Sequence, residues 1–144
     1  IHGAALRLCE ARSLEELAAI VHTELPELCQ VDTAALAIES DDLALPHTVS
    51  RLKPGYLERW LGPADVLLQA HADPLPDLFG AQALQIRSLG ILRMEPGAHS
   101  PVEHPTVCLA FGSRDPEWFS PDQATDLISF LAGIVSRRLA QLLP

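Results

Sequence analysis

Lysine is almost missing from this chain: Lys53 is the only one, and ten basic side chains stand against nineteen acidic ones. The excess is uneven, with thirteen acids and five bases in residues 1–85 but six and five in residues 86–144. A surface so poor in cations has no footprint for a phosphate backbone, which argues against direct nucleic-acid binding. Anionic membrane surfaces are disfavoured for the same reason. No run approaches the ~18 consecutive apolar residues of a membrane span, and no basic-plus-apolar secretion signal is visible. The chain starts at Ile1 rather than Met, so an upstream segment is expected. Cys9, Cys29 and Cys108 are odd in number, widely spaced and set among apolar residues. That pattern predicts buried, reduced thiols in a cytoplasmic protein rather than a disulfide framework. Repeats and low-complexity segments are also absent from the sequence.

What is present is globular. Hydrophobic residues make up 48% and charged residues 20% of 144 positions, the profile of one domain over residues 1–144. A chain of this size buries about 70% of the surface its unfolded form exposes. Residues 1–11 read as helical, and Ser13 with Glu16 forms a capping box that opens a second helix. Leu14, Leu17, Ala18, Val21, Leu25 and Leu28 give it an apolar stripe, and Pro26 predicts a kink or an end. Thr33 to Glu39 alternates as a strand, with Ala34, Leu36 and Ile38 on one face. Thr48–Leu52, Asp65–His71 and Ile86–Met94 read as further strands. Short helices are expected at Pro54–Leu61 and Asp77–Leu84. A loop with four prolines or glycines follows over residues 95–105. Helices bracketing strands too closely spaced for helical crossovers predict an α+β domain with a mainly antiparallel sheet.

The last third is the most ordered pattern. Val107 to Ser113 is a strand, residues 114–119 a polar loop, and residues 121–143 a long helix. Ser120 is placed as its N-cap, Pro121 at its first position, and Gln123 closes a second capping box. Leu127, Phe130, Leu131, Ile134, Val135, Leu139 and Leu142 form one apolar stripe.

Three stretches share one pattern: Ser13–Leu17 with Val31–Leu36, Leu78–Leu84 with Ile86–Leu92, and Leu109–Asp115 with Phe119, Pro121, Thr125, Asp126 and Leu131. Together they resemble the bacterial "domain of unknown function 484" family, a GAF-like group. The resemblance implies an antiparallel sheet of about six strands, with the N- and C-terminal helices on one face and a small-molecule pocket on the other. It implies an N-terminal helical extension upstream of Ile1. It also implies a tyrosine recombinase partner, by gene association only. The family has no established role, so it carries over no catalytic residues. The Asn-Lys-Phe-Asp-Glu signature of cyclic-nucleotide-binding GAF domains is absent, as is a cysteine placed to hold a bilin.

Within that arrangement residues 56–79 would cover the pocket face. Tyr56 and Trp60 lie four apart on a short helix and either line a pocket wall or anchor the helix to the sheet. Phe79 has the same two readings. Arg87, with Ser88 beside it, and Arg93 either meet a carboxylate or phosphate or lie on an open face among local acids. His99, Glu103 and His104 lack a fourth ligand and read as solvated loop side chains, so no metal is expected. His47 and His71 read as exposed. Cys108, mid-strand among apolar residues, reads as structural rather than nucleophilic, and Ser113 with Asp115 has no histidine at a triad spacing. Arg137 and Arg138 suit the C-terminal end of a helix.

The leading reading is a non-enzymatic sensor or regulatory module that takes a small, partly apolar, anionic ligand and no cofactor. Its alternative is a scaffold with a vestigial pocket that homodimerises through its terminal helices. A redox or hydrolytic enzyme ranks last, on the cysteine and histidine placements.

Overall fold

The computed structural model describes residues 2–94, 105–119 and 126–142. In chain order the elements are α1 (His2–Glu10), α2 (Leu14–Cys29), β1 (Thr33–Glu39), β2 (Ser50–Leu52), α3 (Tyr56–Leu61), β3 (Val66–Gln69) and α4 (Pro76–Phe79). A 3-10 turn (Gly80–Gln85), β4 (Ser88–Met94), β5 (Val107–Ser113) and α5 (Asp126–Leu142) follow. The architecture is α+β, around one five-stranded mixed sheet in the order β2-β1-β5-β4-β3.

Local chemistry sets the helix ends. Ser13 Oγ accepts from the Glu16 N–H at 3.1 Å, as its capping position predicts. The Glu16 carboxylate reaches back one residue further than a standard box, to the N–H of Arg12 at 3.3 Å. Pro26 ends α2 within a turn: the chain leaves at Gln30 in the left-handed conformation, and Val31 N–H closes on the Pro26 carbonyl at 2.9 Å. The proposed cap of α5 at Ser120, Pro121 and Gln123 lies outside the described residues, as do His99, Glu103 and His104.

β1 pairs antiparallel with β5, β5 with β4, and β4 with β3. The departure is β2, which runs parallel to β1 through Ala37–Ser50 to Glu39–Leu52. Parallel neighbours usually need a long, often helical, crossover, which is why strand spacing pointed to a mainly antiparallel sheet. Here residues 40–49 make the return without a helix. Ser40 Oγ accepts from Asp42 N–H and Leu43 N–H, and the Arg51 guanidinium donates to the carbonyls of Ser40 and Leu43. That one arginine ties the start of the return to its end. Five strands stand among the described residues, against the six that the resemblance implies.

Side-chain alternation along the strands divides the core in two. Ala34, Leu36, Ile38, Leu92, Met94, Leu109 and Phe111 face α1, α2 and α5 and pack with Leu8, Leu17, Val21, Leu25, Leu131, Val135 and Leu139. The terminal helices therefore share one face. Arg138 Nε donates to the Ala11 carbonyl at 2.7 Å, closing the end of α1 against α5. Gly90 leaves room on this face for Phe119, whose ring carbons lie 3.1 Å from where a Cβ would stand. On the opposite face Ala37, Leu89, Ile91, Cys108 and Ala110 pack with Leu52, Leu57, Leu61, Leu75, Leu78 and Phe79 from the short helices and loops. Gly112 seats Ile86 there, at a clearance of only 2.9 Å from the same notional Cβ.

Cys9 corrects the expectation that every thiol is buried. Leu8 faces inward from α1, as does Ala11 just after it, and Cys9, next in sequence to Leu8, is turned outward and exposed. Cys29 is half-buried against the first core, and Cys108 is fully buried in the second.

Candidate functional site

The six side chains singled out in the sequence are not gathered around one cavity. Tyr56 is buried in the second core, with its ring tilted against Trp60 at a centroid distance of 6.3 Å. Trp60 is turned outward and is 40% exposed. Arg59 lies 5.8 Å from the Tyr56 centroid, so the pair already has its cation. The anchoring reading accounts for these contacts.

Arg93 is committed to the fold. Its guanidinium donates to the carbonyls of Gly62 and Ala64 at 3.0 and 2.6 Å, at the C-terminal end of α3, where cations are favoured. Its Nε is buried, has no hydrogen-bond partner among the described residues, and stands 3.6 Å from Asp65 Oδ1. Ser88 is buried as well: its hydroxyl donates to the Asp115 carbonyl at 2.7 Å and accepts from Phe119 N–H at 3.3 Å. It fixes the turn after β5. Arg87 precedes β4 and is exposed beside Arg114 and Pro116, away from Arg93. The middle of the second sheet face is filled by the protein's own leucines, Ile91 and Phe79.

Phe79 alone among the six lines a cleft beside β1. The cleft has a volume of about 380 Å3 and lies at the edge of the sheet. Its origin is the shortness of β2. Because β2 pairs only with Ala37–Glu39, the stretch of β1 from Thr33 to Leu36 has no strand neighbour on that side among the described residues. An open edge exposes backbone polar groups that must find other partners. His22, on α2, supplies one: its Nδ1–H donates to the Ala34 carbonyl at 3.1 Å. A carbonyl can only accept, so this bond fixes the proton on Nδ1 and leaves Nε2 of the neutral ring as an acceptor.

Small side chains on β1 make the space. Thr33 and Ala35 line the cleft where larger residues would fill it, and Gly80 at φ +56° turns the chain from α4 into the 3-10 segment on the opposite wall. Thr33 Oγ1 donates to Gln82 Oε1 at 2.8 Å, and Ser50 Oγ donates to the Leu78 carbonyl at 3.2 Å, linking the two walls. Thr48 stands in the tight turn that Val49 N–H closes onto the Pro46 carbonyl. Its Oγ1 is buried and has no hydrogen-bond partner among the described residues. A buried hydroxyl without a partner costs about 1–3 kcal/mol, so its presence in a cleft wall is informative. Among the described residues, no carboxylate, lysine or arginine lines this space.

His47 also borders the cleft and is exposed, as expected. His22, Thr33, Thr48 and Gln82 escaped the sequence reading. One signal for them was legible: Thr33, Ala35 and Ala37 put three small side chains in succession on one strand face, which leaves room for something else.

The thiols are poorly placed for nucleophilic chemistry. Burial raises the pKa of the Cys108 thiol strongly, and the Glu39 charge raises it further. Burial alone pushes Cys29 up to about 11. Among the described residues, no group of three or more His, Cys, Asp or Glu side chains is placed to hold a metal ion. No described helix is long and apolar enough to cross a membrane.

No curated protein matches this sequence. The family described as "Protein of unknown function, DUF484" matches residues 1–142, nearly the whole chain, and the chain belongs to that family.

Proposed function

We propose that this chain is a non-enzymatic, GAF-like regulatory module that binds a small molecule in the cleft at the open edge of β1. The observation that carries this reading is the Thr48 hydroxyl, buried and unpartnered among the described residues, in the wall of a cleft of ligand size. A sheet with the terminal helices on one face and short covering elements on the other agrees with the GAF-like arrangement that the resemblance implies. The ligand position differs from the one first expected. The middle of the covered face is occupied, so the ligand sits beside Phe79 at the edge rather than between Tyr56, Trp60 and Arg93. The non-enzymatic assignment rests on protonated, buried thiols and on a cleft lined by hydroxyl, amide and imidazole groups without a carboxylate to act as a base.

The test is a ligand-observed NMR fragment screen on the wild type and on Ala35→Leu, which fills the cleft from the strand side. Hits that bind the wild type should lose their signal in Ala35→Leu, while the melting temperature of the variant stays close to the parent. Hits that survive the substitution, or a screen with none, would defeat the reading.

A second reading, homodimerisation through the terminal helices, has its own observation. Leu6 on α1 and Phe130 on α5 are 59% and 53% exposed, although α1 and α5 are packed together. Light scattering over a concentration series should show a dimer that Phe130→Glu converts to monomer. A monomer at high micromolar concentration would rule this arrangement out.

A further inference from the structure

The polar groups of the edge cleft differ in what they have left to offer, and the difference selects a ligand chemistry. Thr33 spends its hydroxyl proton on Gln82 Oε1, so its own oxygen remains as an acceptor. Gln82 uses one carbonyl lone pair in that bond. Its amide N–H2 has no acceptor among the described residues, so it presents a donor and a spare acceptor side by side. His22, held by Ala34, offers Nε2 as an acceptor in its neutral form. Thr48 Oγ1 has both its proton and its lone pairs free among the described residues. Phe79 and Ala35 supply apolar surface between them.

A donor beside an acceptor on one amide is the complement of another amide. Acceptors at His22 and Thr33 call for additional N–H on the ligand, and among the described residues no lysine, arginine or carboxylate lines the cleft to neutralise a charge. An anion would enter without a lysine or arginine to meet it, on a chain with a formal charge of −9. From these placements we infer that the cleft takes a small uncharged amide or lactam, bound edge-on by Gln82 and capped by the Thr48 hydroxyl. This inference rests on the proposal that the cleft is the ligand site, and it replaces the anionic ligand expected from Arg87 and Arg93.

Nicotinamide, 2-pyrrolidinone and uracil are suitable probes, with nicotinate and N,N-diethylnicotinamide as matched controls that carry a charge or lack the amide N–H. Titration calorimetry on the whole chain should give nicotinamide at least about tenfold tighter binding than either control, since each control leaves two or more polar groups of the cleft unmet. Thr48→Val should weaken the amides about fivefold, the worth of one neutral hydrogen bond, and Thr48→Ser should restore them. Gln82→Leu should weaken them by more. If none of the three probes binds, or if the controls bind as well as nicotinamide, the amide inference is overturned. The fragment screen separates the two claims: fragments lost in Ala35→Leu keep the cleft as the site even when the amides fail, and a screen without such fragments removes both.

Discussion

The two faces of the sheet are covered in different ways. On the first, three helices of 9, 16 and 17 residues lay continuous apolar stripes over the strands, and the core closes without a cleft in its middle. On the second, helices of 6 and 4 residues and a 3-10 turn do the covering. Short elements cannot span the sheet, so they fill its centre with large side chains and fall short at one edge. The cleft lies at that edge. The second face is therefore not an empty pocket with a lid. It is a packed core with an unfilled margin, and the margin exists because β2 stops pairing at Ser50.

The largest effect should come from the closed face. Phe111 is fully buried in the first core, and Phe111→Ala should lower unfolding free energy by about 3–5 kcal/mol in urea titrations. A loss under about 1 kcal/mol would mean that this face is far looser than its packing implies. Next, Gly112→Ala forces a methyl against Ile86 and should cost about 1–3 kcal/mol, because Ile86 is itself buried and has little room to move. A neutral substitution would show that the centre of the second face is slack enough to admit a ligand after all.

The pH dependence probes both faces through their thiols. An unfolded Cys29 ionises near 9, whereas the folded one keeps its proton to about 11. A folded-state pKa raised in this way gives stability that is complete below pH 9 and is lost as the pH climbs to 11. Cys108 acts in the same direction on the other face, and Tyr56, pushed up to about 12 chiefly by burial, extends the loss upward. Melting temperatures should therefore fall from pH 9 to 11, and less steeply in Cys29→Ala. A profile flat across that interval would contradict the burial of these groups. The smallest effect belongs to the margin: Thr48→Val exchanges an unpartnered hydroxyl for a methyl of the same shape. It should leave stability unchanged or raise it by up to about 1 kcal/mol, even as it weakens ligand. A clear destabilisation would mean that Thr48 serves the fold.

Most of the fold was legible because period-2 alternation and capping chemistry are local. Thr33–Glu39 and Val107–Ser113 are strands at the bounds their alternation gives, and Ser13 caps α2. The parallel pairing of β2 was not legible, because it depends on Arg51 binding two carbonyls across a loop, and neither spacing nor propensity records that. Nor was the role of Arg93. A strand arginine beside a pocket and one that holds the end of a helix look alike until Gly62 and Ala64 are placed beside it. The cleft was hidden for a third reason. It is defined by where a strand stops having a neighbour, and Thr48, Gln82 and His22 come from three separate elements that meet only there.

A 1H–15N NMR titration of the whole chain with hits from the fragment screen shows where on the sheet the ligand sits. If the edge cleft is the site, shift changes concentrate at Thr33–Ala35, at Thr48–Ser50 and at Phe79–Gln82, while the amides of Tyr56, Trp60 and Arg87 stay where they are. Changes centred on Tyr56, Trp60 and Arg87, with the β1 edge unmoved, would place the ligand under the short helices and contradict the account.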